Sequence, residues 1–179
     1  LHQDVHSFPT RRSSDLIALA QTGTGKTAAY GLPVLQKVDP TQRTTQAVIL
    51  SPTRELCLQI ADDLKDYSRY IDGLHVQAVY GGTSIESQIR SLKRGAQVIV
   101  ATPGRLIDLM ERGVAKLENV ENVVLDEADE MLNMGFTESI DAILAGVPEN
   151  RNTLFFSATM SREIERIARN YLHDHKEIV

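Results

Sequence analysis

Ile17-Ala18-Leu19-Ala20-Gln21-Thr22-Gly23-Thr24-Gly25-Lys26-Thr27 is a short apolar run, a glycine-rich turn, then Lys-Thr where a helical pattern begins. Glycines in such a turn let the backbone wrap closely, so that N–H groups and a helix N-terminus point at phosphate oxygens. Lys26 is then placed to reach the β- and γ-phosphates of a nucleotide, and the Thr27 hydroxyl to ligate Mg²⁺. Ala20 stands where the pattern usually has its first glycine, so the strict motif fails at one position. The plainer alternative is a Gly/Thr-rich turn that caps a helix.

Five more apolar runs follow, Ala47–Leu50, Val76–Tyr80, Val98–Ala101, Val123–Leu125 and Leu154–Phe156, each ending in a polar or glycine-containing cluster. Between them lie helical patterns: residues 25–38, 53–70 with Leu56, Ile60, Leu64 and Tyr67 in phase, 84–93, and 103–112 with Leu106, Leu109 and Met110 on one face. A short helix after residue 127, another over 138–144 and one over 161–171 with Ile164, Ile167, Ala168 and Tyr171 inward complete the pattern. Lys176–Val179 begins a last strand. Continuously apolar strands alternating with helices predict an open, mostly parallel α/β sheet with helices on both faces. The clusters after the strands then emerge on one edge, where ligands bind in such sheets.

Length and composition are consistent with this. A chain of 179 residues with 42% apolar and 24% charged residues supports one substantial soluble core. No run approaches the roughly 18 apolar residues that cross a bilayer, and nothing reads as a secretion signal. The single cysteine, Cys57, excludes an internal disulfide; a reducing cytoplasm and no membrane are expected. A net charge of −5 argues against a surface coated in phosphate contacts, but not against a local track of backbone N–H groups and a few arginines. His173 and His175 lack a nearby third metal ligand and are read as a solvated turn. Cys57 shares a helical face with Ile60, Ala61 and Leu64 and is read as core, as are Met131 and Met134.

The stretch His6–Leu16 shows no periodicity, and its residues back-translate to the sequence of a common sequencing-library adapter. Residues 1–16 are therefore read as a non-native, disordered segment and set aside, the alternative being a basic N-terminal arm. Finding the segment in the source organism's coding DNA would refute this. Residues 17–179 form the single domain.

Asp126-Glu127-Ala128-Asp129 follows Val123-Val124-Leu125. A carboxylate ending a strand beside a phosphate loop can hold Mg²⁺ directly or through water; that is Asp126. Glu127 is placed to orient or deprotonate an attacking water. By itself the cluster could equally be a solvated acidic helix start favoured by the helix dipole.

Adding Pro52-Thr53-Arg54-Glu55-Leu56, Gly81-Gly82, Thr102-Pro103-Gly104-Arg105 and Ser157-Ala158-Thr159 in this order, the chain from Ile17 to Val179 resembles the first RecA-like, P-loop ATP-binding domain of a bacterial DEAD-box RNA helicase. The resemblance implies ATP and Mg²⁺ as cofactors, with Lys26, Asp126 and Glu127 catalytic, Ala20 through Thr27 binding the nucleotide, and Thr27 and Asp126 holding the metal. It implies that Pro52, Thr53, Arg54, Glu55, Gly82, Thr102, Pro103, Gly104 and Arg105 contact the sugar-phosphate backbone of RNA, single-stranded or in duplexes, without reading bases. Ion pairs of Arg54 and Arg105 with carboxylates such as Glu55 or Asp108 are the alternative or coexisting role. The hydroxyls of Ser157 and Thr159 would hydrogen-bond Asp129 and couple the two ligands, or else cap the following helix.

The family's adenine-reading glutamine segment is not visible upstream of the loop, and the second RecA-like domain, with its arginine finger, lies beyond this chain. The fragment is therefore expected to bind ATP weakly and turn it over poorly. A related DNA helicase or translocase is a second reading, against which Asp129 counts, because many of those carry histidine there. An RNA-binding clamp that uses ATP only as a switch is a third.

Overall fold

The computed structural model describes residues 15–20, 25–172 and 176–178. The elements, in chain order, are β1 (Leu16–Leu19), α1 (Lys26–Lys37), β2 (Ala47–Leu50), α2 (Arg54–Tyr67), β3 (Val76–Val79), α3 (Glu86–Lys93) and β4 (Val98–Ala101). They continue with α4 (Pro103–Glu111), β5 (Asn122–Leu125), α5 (Ala128–Asn133), α6 (Thr137–Gly146), β6 (Asn152–Ser157), α7 (Arg162–Tyr171) and β7 (Lys176–Ile178). The strands form one seven-stranded sheet in the order β3-β4-β2-β5-β6-β1-β7, parallel at every pairing.

The continuous apolar runs have a simple cause. Alternate strand residues enter two different cores, because both faces of the sheet are covered. Val48, Leu50, Ile99, Ala101, Val123, Leu125 and Phe155 pack with apolar residues of α3, α4, α5, α6 and α7. Ala47, Ile49, Val98, Val100, Val124 and Phe156 pack with those of α1 and α2. Each such Val, Leu, Ile or Phe contributes roughly 1.5–3 kcal/mol by leaving water, and each alanine about 0.8, so a polar residue at any of these positions, on either face, is destabilising.

Local signals set the helices. Thr53 caps α2, its hydroxyl accepting the Leu56 N–H at 3.2 Å, and Ser161 caps α7 in the same way for Ile164 at 3.2 Å. The buried face of α2 is Cys57, Ile60, Ala61 and Leu64, whereas Leu56 is half-buried and Tyr67 sits on the exposed rim. Helix α2 also stops at Tyr67, short of residue 70. The α1–α2 contact is close enough that a Cβ at Gly31 would lie 2.7 Å from Leu64 Cδ2. Met131 is fully buried, but Met134 is 48% exposed and is not a packing residue: it follows the last turn of the six-residue α5 and points away from the core.

β1 begins one residue earlier than the apolar run suggests, and the disorder expected of residues 1–16 does not hold at Asp15 and Leu16, which join the sheet. Leu16 pairs with Leu154 and Lys176, and the buried Asp15 accepts the Thr153 N–H through Oδ1 at 2.8 Å. The rest of the N-terminal stretch, together with His173 and His175, lies outside the described residues. No helix among the described residues is long and apolar enough to cross a membrane.

Parallel pairing aligns the strand ends. The Ala20 N–H donates to Ser157 O at 2.8 Å, Ser51 N–H to Ala101 O at 3.0 Å, Thr102 N–H to Val79 O at 3.0 Å and Asp126 N–H to Leu50 O at 2.9 Å. The clusters that follow β1 to β6 therefore leave the sheet at one edge.

Candidate nucleotide and nucleic-acid site

β1 and β5 lie on either side of β6, so their ends are about 10 Å apart across two interstrand spacings. Gly25, at φ 92°, occupies a left-handed conformation that glycine adopts without strain, and it turns the chain into α1 as its N-cap. Lys26, the first residue of α1, reaches across β6: its Nζ is 2.6 Å from Asp126 Oδ1 at the end of β5. The side chains are 11% and 1% exposed, so this is a buried ion pair at the sheet edge. Thr27 follows, half-buried. Ala20 follows β1 with its N–H bonded to Ser157 O; Gln21, Thr22, Gly23 and Thr24 lie outside the described residues.

The other Asp126 oxygen is also occupied. Tyr30, one turn beyond Lys26 on α1, donates its hydroxyl to Asp126 Oδ2 at 2.8 Å. The ring is fully buried and lies against Phe156 at 5.2 Å between centroids. Burial and the Asp126 charge push the phenol far above its ordinary range, so it is neutral and a donor, with the Thr27 hydroxyl partly opposing that shift. Asp126 Oδ1 accepts no well-aligned hydrogen bond and has the Lys26 ammonium as its counter-charge.

Glu127 is the one non-glycine residue at positive φ among the described residues, with φ 53° and ψ 53° as it caps α5. Left-handed backbone costs an L-residue roughly 1–2 kcal/mol, and such strain concentrates at functional positions. Burial raises the Glu127 carboxyl pKa, with Asp126, Glu130 and Asp129 adding to the shift and Lys26 opposing it. A half-buried carboxylate with raised basicity suits proton abstraction better than an exposed one.

Asp129, in the first turn of α5, accepts the Thr159 hydroxyl on Oδ2 at 3.1 Å and the Glu130 N–H on Oδ1 at 3.0 Å. Ser157 does not reach Asp129; its hydroxyl donates to Thr159 O at 2.6 Å and folds the turn that presents Thr159. Neither residue caps α7, since Ser161 does that.

The remaining clusters leave β2, β3 and β4. Pro52 is buried and precedes the Thr53 cap rather than opening the helix, whereas Pro103 does stand at the first position of α4 after Thr102. Thr102 is half-buried and its side chain makes no cap bond. Arg54, Glu55, Gly82 and Gly104 are exposed. The anticipated ion pairs are not formed. The Arg54 guanidinium stacks over the Tyr80 ring, 5.1 Å from its centroid. Arg105 donates to Gln88 Oε1 and to Thr83 O, both at 3.0 Å, while Asp108 pairs with Arg112 at 2.9 Å. Gln88, buried at the start of α3, also accepts the Tyr80 N–H at 3.3 Å and donates to Tyr80 O at 3.2 Å.

Tyr30, Tyr80 and Gln88 were not singled out from sequence. For Tyr30 a signal existed: it lies four residues after Lys26, hence on the same helical face. Nothing in the pattern around Gln88 distinguishes it from a surface glutamine.

Set beside known proteins, residues 3–167 match the family model of the DEAD/DEAH box helicases. The DEAD-box ATP-dependent RNA helicase CshA of Streptococcus pneumoniae is 54% identical over 158 residues, which is 88% of this chain and 30% of that protein. The ATP-dependent RNA helicase DeaD of Escherichia coli is 46% identical over 164 residues, 92% of this chain and 26% of the relative. The chain thus spans less than a third of these relatives' length. The crystal structure of a DEAD box protein from Methanococcus jannaschii superposes with a TM-score of 0.87 at 42% identity, covering 93% of this chain and 45% of that one. That of a hypothetical ATP-dependent RNA helicase from Sulfolobus tokodaii gives 0.83 at 41% identity, covering 92% and 47%. The fold, the order of the edge clusters and these relatives agree: the chain belongs to the DEAD/DEAH box helicase family.

Proposed function

We propose that the chain is the N-terminal RecA-like domain of an ATP-dependent RNA helicase, which binds ATP–Mg²⁺ and the RNA backbone and needs a second RecA-like domain for turnover. The observation that carries this reading is the 2.6 Å approach of Lys26 Nζ, at the start of α1, to Asp126 Oδ1, just after β5, at the sheet edge. Lys26 and the first turn of α1 would bind the β- and γ-phosphates, and Glu127 would take the proton of the attacking water. Arg54, Gly82, Arg105 and the N-terminus of α4 would bind RNA phosphates. Asp129 and Thr159 would relay between the two ligands.

The donor set suits Mg²⁺. Asp126 Oδ1 is a buried carboxylate oxygen whose present partner is the Lys26 ammonium, and Thr27, next in the chain, offers a hydroxyl. Mg²⁺ typically takes one or two protein oxygens and fills its octahedron with phosphates and water. Bound there, the ion would neutralise charge on the transferring phosphate. The arginine finger of a second domain is worth about 10³–10⁵ in rate in comparable NTPases, so this chain alone should turn ATP over near background.

The experiment is titration of the purified chain with a fluorescent ATP analogue in Mg²⁺, together with amide-shift mapping of oligouridine and oligothymidine. Saturable nucleotide binding that Lys26→Ala abolishes, and shifts at residues 54, 82 and 105 with RNA but weaker ones with DNA, support the proposal. Equal shifts with DNA would favour a DNA translocase, and nucleotide binding indifferent to Lys26→Ala would overturn the assignment of the site.

A further inference from the structure

We propose that Tyr30 is a positioning residue for the metal site: its neutral hydroxyl holds Asp126 Oδ2 and fixes the carboxylate rotamer, so that Oδ1 is the oxygen presented to Mg²⁺. The inference rests on the nucleotide–metal reading above and concerns how that site is built. The bond is 2.8 Å long, the phenol ring is fully buried against Phe156, and Asp126 is 1% exposed. A carboxylate has two equivalent oxygens and rotates about its terminal torsion with little preference. Its rotation here is opposed from one side by a donor whose ring is fully buried against Phe156. Tyr30 is on α1, the helix that carries Lys26 and Thr27, so the groups that meet the triphosphate and the group that aims the carboxylate belong to one rigid element.

The division of labour follows from the chemistry of the two partners. Lys26 is a charged, flexible group that can leave Oδ1 for a phosphate when nucleotide enters. Tyr30 is neutral and locked, and its hydroxyl keeps Oδ2 satisfied whichever partner Oδ1 has. Outer partners of this kind typically change metal affinity by 10–100-fold when removed, through ligand orientation. Phenylalanine in place of Tyr30 would fill the same cavity and keep the contact with Phe156, losing the hydroxyl alone.

The test is Tyr30→Phe in the whole chain, read by fluorescent ADP binding at saturating and at zero Mg²⁺, and by Mg²⁺ titration at fixed nucleotide. The expected result is a rise of about tenfold in the Mg²⁺ concentration for half-saturation, with metal-free nucleotide affinity within about twofold of wild type. Unchanged Mg²⁺ half-saturation would overturn the proposal. So would an equal loss of metal-free affinity, which would make Tyr30 a packing residue. If the wild-type chain shows no Mg²⁺-dependent step at all, the metal-site reading itself fails and takes this inference with it, an outcome distinguishable from the first two. Thermal unfolding of Tyr30→Phe without ligands separates any folding defect, since the metal-to-metal-free ratio is measured on folded protein.

Discussion

The Lys26–Asp126 pair predicts a particular asymmetry in the stability of the nucleotide-free domain. Removing one member of a buried ion pair costs about 3–5 kcal/mol, because the other charge is left without compensation. Lys26→Met keeps the aliphatic stem and removes the charge, stranding a carboxylate that is 1% exposed. Tyr30 still donates to Oδ2, and water can enter where the 11%-exposed lysine stood, so the loss should be nearer 2–3 kcal/mol. For a domain of this size about 1 kcal/mol corresponds to 2–4 °C, so the unfolding midpoint should fall by about 5–10 °C. Asp126→Asn is milder, near 1 kcal/mol, because the freed ammonium can swing toward solvent while the Tyr30 hydroxyl finds the amide oxygen. The double variant should recover most of the Lys26→Met loss, giving a coupling energy of about 2–3 kcal/mol in a double-mutant cycle. Differential scanning fluorimetry without nucleotide measures all four proteins. A Lys26→Met midpoint within about 1 °C of wild type, or strictly additive single effects, would refute the claim that the pair exists as a buried unit.

Two further outcomes follow from strained or buried residues. At Glu127, φ 53°, glycine relieves about 1–2 kcal/mol of left-handed strain and gives back about 0.5–1 in unfolded-state freedom. Glu127→Gly should thus match or slightly exceed wild type in urea unfolding, while β-branched Glu127→Val should be clearly less stable, and the reverse order would contradict the backbone argument. Cys57 is pushed up to about 11 from an ordinary value near 9, by burial, against a smaller opposing contact with the Ser51 hydroxyl. The folded thiol then keeps its proton where the unfolded one has lost it, so its contribution is full below pH 9 and disappears as pH rises toward 11. About 2–3 kcal/mol is at stake, and the stability gap between wild type and Cys57→Ala should narrow between pH 8 and pH 10.5; a pH-independent gap would rule this out.

Much of the fold was legible because both faces of the sheet are covered. Ala47–Leu50 and Val98–Ala101 have every position buried, and an unbroken apolar run followed by a turn residue has few other readings. The strand ends were placed to within a residue or so by the same logic. Strand order was not legible: the crossovers have similar lengths, and nothing local distinguishes β6 inserting between β5 and β1 from the alternatives. Contacts at the edge were partly legible. The meeting of Lys26 and Asp126 follows from motif context, but the partners of Arg54 and Arg105 do not. Their anticipated carboxylates, Glu55 and Asp108, sit on the same helices as the arginines. The guanidiniums turn instead to Tyr80, Gln88 and Thr83, groups brought close by tertiary packing alone. The expectation that Met134 packs fails because it stands at the cap that ends a helix of six residues and is exposed there.

The strand order also divides the edge into halves. The clusters assigned to nucleotide leave β1 and β5, with Ser157 ending β6 between them; the clusters assigned to RNA leave β2, β3 and β4. The halves meet where β2 pairs with β5, and there the Asp126 N–H is bonded to Leu50 O at 2.9 Å, one residue before Ser51 and Pro52. A rigid parallel ladder transmits little along itself, because its hydrogen bonds have no second arrangement to adopt. Any coupling within this domain must therefore use the turns beyond the ladder. The residues available are Glu127, held at positive φ, and Asp129, joined to Thr159 by a partly exposed hydrogen bond of 3.1 Å. Both lie within three residues of Asp126. With the Asp126 carboxylate held by Tyr30, the change of charge when Lys26 leaves Oδ1 would be felt first at this strained turn, and then at the exposed Thr159.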